Sequence, residues 1–147
     1  MEFILHPIGI IRSPFIEKRD TPIQPPRSSA RGSVEVYPEF VDGLRDLEDF
    51  SHIILIYYFH QSSGYTLSVK PFLDTQERGL FATRYPARPN QIGISIVRLI
   101  HIVGNALEIE GVDVLDGTPL LDIKPYVPDF DIHQDVSTGW YSKRKPE

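Results

Sequence analysis

IGISIVRLIHIVGNALEIEGVDV, residues Ile92–Val114, is the stretch that decides the fold. Its first twelve residues are rich in β-branched side chains and predict a long strand. Gly104-Asn105 follows, a hairpin signal in which glycine supplies a positive φ. Ala106–Val114 then spaces Leu107, Ile109 and Val112 as the apolar positions of a partner strand. Two long strands joined by so short a turn predict antiparallel pairing.

Just upstream, GLFATRYPARPNQ (residues 79–91) changes character. Arg84 and Arg88 sit among prolines, with Asn90 behind them. Arg-x-x-x-Arg-Pro-Asn offers two planar guanidinium groups, a fixed bend at Pro89 and an amide able to cap or bind. Gly93 lets a backbone or a ligand come close. The plain alternative is a surface loop with arginines on its rim.

Working outward, Ser51–His60 is the strongest strand, because HIILIYYFH is β-branched and aromatic. Thr66–Phe72 and Leu80–Thr83 read as shorter strands. Leu120–Lys124 is the last one, after the tight loop Asp116-Gly117-Thr118-Pro119. Toward the N-terminus, Phe3–Arg12 reads as a strand that Pro7 limits to an edge or a bulge. Lys18–Arg31 is a polar loop stiffened by three prolines, and Ser33–Tyr37 is a short strand. Phe40, Leu44 and Leu47 fall at i, i+4 and i+7, a short helix that Gly43 weakens toward 3₁₀ geometry. Six or seven strands joined by turns predict a mostly β fold, a small antiparallel β-barrel with one short helix. No β–α alternation suggests a doubly wound, Rossmann-type sheet. Residues 1–130 are expected to form the barrel domain, and residues 131–147 a mostly irregular C-terminal tail.

The bulk properties agree with this. A chain of 147 residues suits one domain. Its 13 prolines disfavour a helix-rich fold. The absence of cysteine removes disulfides, thiolate metal sites and a cysteine nucleophile, and it fits a reducing cytoplasm. MEFILHPIGI has no basic segment ahead of an apolar core, so no signal peptide is expected. The longest apolar run, Ile53–Phe59, is too short to span a membrane. Net charge is −5, which disfavours non-specific binding to DNA or other polyanions. The charge is uneven, however. Residues 70–98 carry five basic and two acidic side chains, whereas residues 108–135 carry one basic and eight acidic. A polyanion is therefore able to meet a local basic face.

Several chemistries are disfavoured by pattern. The five histidines show neither i, i+4 spacing nor a flanking cysteine, so no metal site is expected. No serine sits in a G-x-S-x-G turn, and no Gly-rich or Walker phosphate cradle is present. Three loops remain that join polarity to turn residues: Pro22-Ile23-Gln24-Pro25-Pro26, His60-Gln61, and Asp116-Gly117-Thr118-Pro119. A ligand with an adenine, a ribose and an amino acid needs a flat apolar slot, a hydroxyl acceptor and backbone donors. The Asp-Gly-Thr turn offers an acceptor and a close backbone approach, and Gln24, His60 and Gln61 offer amide and imidazole contacts. Each of these is also an ordinary turn or strand end when taken alone.

In order along the chain stand PIGIIRSPF (Pro7–Phe15), QPP (Gln24–Pro26), LEDFSHI (Leu47–Ile53), FHQ (Phe59–Gln61), GLFATR with RPN and IG (Gly79–Leu99), and VLDGTPLLDIKPYVP (Val114–Pro128). Together they closely resemble the TsaA/TrmO (YaeB) family of tRNA methyltransferases, over residues 3 to about 130. The resemblance implies a β-barrel methyltransferase that uses S-adenosylmethionine. Its substrate would be tRNA, at the modified adenosine next to the anticodon, which receives a methyl on its exocyclic nitrogen. It also implies a cytoplasmic homodimer.

By motif position, the resemblance implies cofactor contacts from Pro22, Gln24, Pro25, His60, Gln61 and Arg88. Asp116, Gly117 and Thr118 join them, and Leu99 or Ile96 is expected at the adenine slot. Ile23 stands where familiar bacterial members carry a basic residue. Arg31, Arg84 and Arg88 are candidates for phosphate contact, and Tyr85 for stacking on a splayed base. An exocyclic nitrogen is a poor nucleophile, so a proton acceptor would help. Asp122, Tyr126 and Asp129 are the residues nominated for that role. A non-catalytic barrel that senses the cofactor or binds RNA is the alternative reading.

Overall fold

A computed structural model describes residues 1–18, 21, 28–72 and 74–143 of the chain. Among these residues the strands are β1 (Gly9–Arg12), β2 (Arg31–Val36), β3 (His52–Tyr58), β4 (Ser68–Val69), β5 (Arg78–Gly79), β6 (Ile92–Val103), β7 (Ala106–Glu110) and β8 (Thr118–Pro125). Six of them close into an antiparallel barrel in the order β1-β2-β7-β6-β3-β8. The expected barrel is therefore present. β4 and β5 pair only with each other.

β6 carries the closure. Its first half pairs with β3, with Tyr58 opposite Ile92 and His52 opposite Arg98. Its second half pairs with β7, and a register shift between Leu99 and His101 bends it from one partner to the other. Alternation decides what lies inside. Val34, Ile53, Leu55, Val97, Leu107 and Leu120 are buried in one core cluster. Burying each such side chain contributes roughly 1.5–3 kcal/mol.

Four local expectations differ. Phe3–Arg12 is a strand only over Gly9–Arg12. Pro7 has no N–H to give a ladder, and pairing begins with Ile8 N–H to Leu120 O, 2.8 Å. Thr66–Phe72 shrinks to Ser68–Val69. Leu80–Thr83 is a 3₁₀ turn over Leu80–Ala82. There both the backbone N–H and the hydroxyl of Thr83 donate to Leu80 O, at 3.0 and 2.8 Å. A side chain that closes a turn on its own backbone competes with a ladder. Finally, Ala106–Val114 leaves the ladder at Glu110, because Gly111 adopts φ +101°. The short helix falls at Pro38–Leu44 and is 3₁₀ throughout, as Gly43 implied. Past β8, Pro128–Asp131 forms one α-helical turn, α1, and Gly139–Lys143 a 3₁₀ turn.

Candidate functional site at one rim of the barrel

Where β3 ends and β6 begins, three segments converge. Phe59 N–H donates to Gln91 O at 2.8 Å, which extends the pairing by one step before His60 and Gln61 turn away. The Gln91 side-chain amide donates to Ser62 O, 2.8 Å, and holds that turn. The second segment is Thr83–Arg88. Arg88 Nη1 donates to Thr83 O (3.1 Å) and Tyr85 O (2.8 Å), so the guanidinium braces its own loop. The third segment is Asp113–Leu115, which Gly111 releases from β7; Ser13 donates its hydroxyl to Val114 O, 2.5 Å, and the Asp113 side chain reaches Ser95 of β6.

These segments enclose a cleft of about 460 Å³. That lies within the 300–1,000 Å³ usual for small-molecule sites. Phe59, Tyr85, Pro86, Ala87 and Leu115 give it flat apolar walls. His60, Gln61, Asp113 and Thr118 give it polar groups, and Lys18 stands at its edge. Beneath lies Gly93. A Cβ there would come within 2.6 Å of Phe59 Cζ, and closer still to Tyr57. Glycine thus admits two rings set edge to face, 5.4 Å apart at 89°. The close approach expected at Gly93 is made by aromatic side chains of the protein itself.

From this floor a hydrogen-bonded chain runs to the cleft. The Ser95 hydroxyl donates to Asp113 Oδ1 at 2.6 Å. Its Oγ also lies 2.7 Å from the Tyr57 hydroxyl. Ser95 has one proton, already given to Asp113, so the Tyr57 phenol is the donor in that second bond. Burial raises the Asp113 carboxyl above the usual carboxylate range, and the Ser95 bond partly offsets the rise. Burial, reinforced by the Asp113 charge, raises the Tyr57 phenol well above its ordinary value and keeps it neutral.

Of the expected cofactor residues, His60, Gln61 and Thr118 line the cleft, and so does Tyr85 from the RNA set. Thr118 donates its hydroxyl to Leu115 O, 2.6 Å. Asp116 and Gly117 form the adjoining turn, with Gly117 at φ +83°. The Asp116 carboxylate is already engaged. It accepts Ser13 N–H at 3.1 Å and lies 3.7 Å from Arg12 Nη1, tying the turn to β1. Arg88 is half-buried behind the loop it braces. Pro22, Gln24 and Pro25 fall outside the described residues. Leu99 is not brought to the cleft. It is an inward residue of β6, 6% exposed and part of the core. Ile96 points outward, into a shallow groove beside His52 and Arg98.

The three nominated proton acceptors stand elsewhere. Asp122 sits opposite the outward-facing Ile56 on β8 and pairs with Lys124 at 3.0 Å. Tyr126 N–H donates to His52 O, 3.1 Å, at the far end of β3. Six residue steps, about 20 Å, separate that end from the cleft. Asp129 is exposed on α1 beyond it. Arg31 is held by Glu108 and Glu110 at 3.8 and 3.4 Å. Arg84 is exposed and near enough to Tyr57 to act on its phenol.

The sequence reading missed Asp113, Ser95 and Tyr57. The available signal was an acid between two valines, Val112-Asp113-Val114, just after a glycine. Among the described residues no cluster of His, Asp or Glu is arranged to hold a metal ion. No helix there is long and apolar enough to cross a membrane.

Comparison with known proteins follows the same outline. The profile of the tRNA-methyltransferase O N-terminal domain matches residues 10–132. A probable S-adenosyl-L-methionine-binding protein of Pyrococcus abyssi is 59% identical over 140 residues, covering 93% of this chain and 75% of its own. The human tRNA (adenine(37)-N6)-methyltransferase is 35% identical over 141 residues, 90% of this chain and 32% of its own length. A crystal structure of TrmO from Pseudomonas aeruginosa superposes with a TM-score of 0.79 at 43% identity, over 96% of this chain and 62% of that one. The chain thus spans about a third of the human protein and under two thirds of the bacterial one.

Proposed function

The chain belongs to the tRNA-methyltransferase O family, and on that premise we propose that it methylates tRNA with S-adenosylmethionine as the donor. The acceptor is the exocyclic nitrogen of the adenosine next to the anticodon, the position named in the human relative. One observation supports this reading above the others. Segments distant in sequence meet in a single cleft whose walls suit that donor. Tyr85, Pro86 and Phe59 offer flat faces to a purine. His60, Gln61 and Thr118 offer donors and acceptors to the ribose and amino acid. When bound, the donor supplies a methyl carbon already activated by a positive sulfur, so the protein's own work is placement.

Tyr85 at the mouth is positioned to stack on an unpaired base, and the exposed Arg84 beside it to meet phosphate. Arg88 acts on both ligands through the loop it braces. The enzyme works as a cytoplasmic homodimer in this reading. Its support is an outward apolar ladder on β3 and β6, where Tyr58 faces Ile92, Ile56 faces Ile94, and Ile54 faces Ile96. Ile94 and Ile96 are 49% and 51% exposed. Such a contiguous patch marks an interaction surface.

Calorimetric titration with S-adenosylmethionine, followed by transfer of labelled methyl to bulk tRNA, tests the function. Saturable binding and labelled adenosine are expected. Binding without label would indicate a sensor instead, and no binding would remove both readings.

A further inference from the structure

Asp113 is the one titratable side chain joined to the barrel interior and open to the cleft among the described residues. Its Oδ1 is held by Ser95. Its own backbone N–H also bonds to the carboxyl, and neither carboxylate oxygen is a buried atom lacking a partner. We propose that Asp113 accepts the proton lost by the methylated nitrogen, with Ser95 and Tyr57 as positioning residues that fix its carboxylate. This rests on the functional reading above.

The balance is simple. The nitrogen gains a bond to the methyl carbon, whose bond to sulfur breaks with its electron pair staying on sulfur. The nitrogen's N–H bond breaks, its electron pair stays on nitrogen, and the proton goes to the second carboxylate oxygen of Asp113. The proton then passes to solvent through the open cleft. No other reactant is consumed.

The surroundings fit an acceptor better than a passive acid. A general base is most effective with a pKa near the working pH, and burial moves Asp113 in that direction. The Tyr57 phenol, too weak an acid to ionise there, stays a donor and orients Ser95 toward Asp113. The other charged or titratable groups near these residues are Lys18, His60 and Tyr85 in the cleft lining and Arg84 beside Tyr57. Asp122, Tyr126 and Asp129 face elsewhere and are replaced by Asp113 in this role.

The test uses the full chain. In Asp113→Asn, single-turnover methylation at saturating S-adenosylmethionine should fall about 10²-fold or more. The dissociation constant for S-adenosylmethionine should stay within about twofold. Ser95→Ala removes a bond that lowers the Asp113 pKa. The acidic limb of the pH–rate profile should therefore move to higher pH while the alkaline plateau persists. Carbon-13 titration of the carboxyl groups in the unliganded chain gives a readout independent of turnover. Asp113 should titrate above the ordinary range near 4, and higher again in Ser95→Ala. An Asp113→Asn variant with wild-type turnover, or one that loses only donor affinity, would overturn the assignment alone. An Asp113 carboxyl titrating in the ordinary range would do the same. A wild-type chain that labels no tRNA would overturn the functional reading and this assignment with it.

Discussion

At the scale of single residues, function and stability pull Asp113 in opposite directions. Its folded-state pKa is raised above that of the unfolded chain. At pH below the unfolded value both states hold the proton, and the group is neutral to stability. As pH rises past that value, the unfolded chain releases its proton first, so the fold loses stability. Asp113→Asn should then raise the melting temperature at neutral pH. The gain should vanish below about pH 4, where the unfolded aspartate is itself protonated. Differential scanning calorimetry at the two pH values checks the sign. A variant that melts lower at neutral pH and equal in acid would contradict it. Gly93 is the other decisive residue. Gly93→Ala pushes a methyl into the Tyr57 and Phe59 rings. Overpacking of this kind costs about 1–3 kcal/mol. Chemical denaturation should show that loss, together with weaker donor binding as the cleft floor shifts. Unchanged stability would mean that the rings yield freely.

At the scale of elements, the informative segment is Thr83–Arg88. The sequence singled out its arginines as ligands, but Arg88 spends two hydrogen bonds on Thr83 and Tyr85 and lies 5.9 Å over Phe81. Arg88→Ala should leave the barrel intact and loosen one wall of the cleft. We expect KM for the donor to rise about tenfold with kcat little changed, and a melting temperature within a few degrees of wild type. A selective loss of kcat would instead place the guanidinium at the reacting atoms. Trp140 steadies the same region, donating its indole N–H to Ala82 O at 2.8 Å.

These elements also show what a sequence reveals. β3, β6 and β7 were legible because period-two alternation and a Gly-Asn turn are local signals. His60, Gln61 and Thr118, which line the cleft, stand out in the sequence because they follow strand ends or turns. Asp113 was not. Its neighbours read as a continuing strand, and only the left-handed Gly111 releases it toward β6. Its meaning comes from Ser95 and Tyr57, which are 18 and 38 residues from their partners along the chain. Tyr126 and Asp129 lie away from the cleft for the mirror reason, since the β8 segment carries them to the far end of the barrel.

At the scale of the whole molecule, closure leaves the six barrel strands no edge for pairing, so the broad surface they offer a partner is an outer face. The Tyr58–Ile92, Ile56–Ile94 and Ile54–Ile96 ladder is the face expected to meet a second copy. Ile94→Glu places a charge in its middle. Sedimentation equilibrium should show a dimer for the wild type and a monomer for the variant, with donor affinity retained. A wild-type monomer would remove the dimer from the account, and a variant still dimeric would move the interface to another face.

The central claim is that the methyl donor sits at one rim of the barrel, and a crystal structure with S-adenosylhomocysteine tests it most directly. Density for the whole ligand is expected between His60-Gln61, Tyr85–Ala87 and Asp113–Thr118, with its purine against an apolar wall. Density confined to the groove beside His52 and Arg98, with the rim cleft empty, would contradict it.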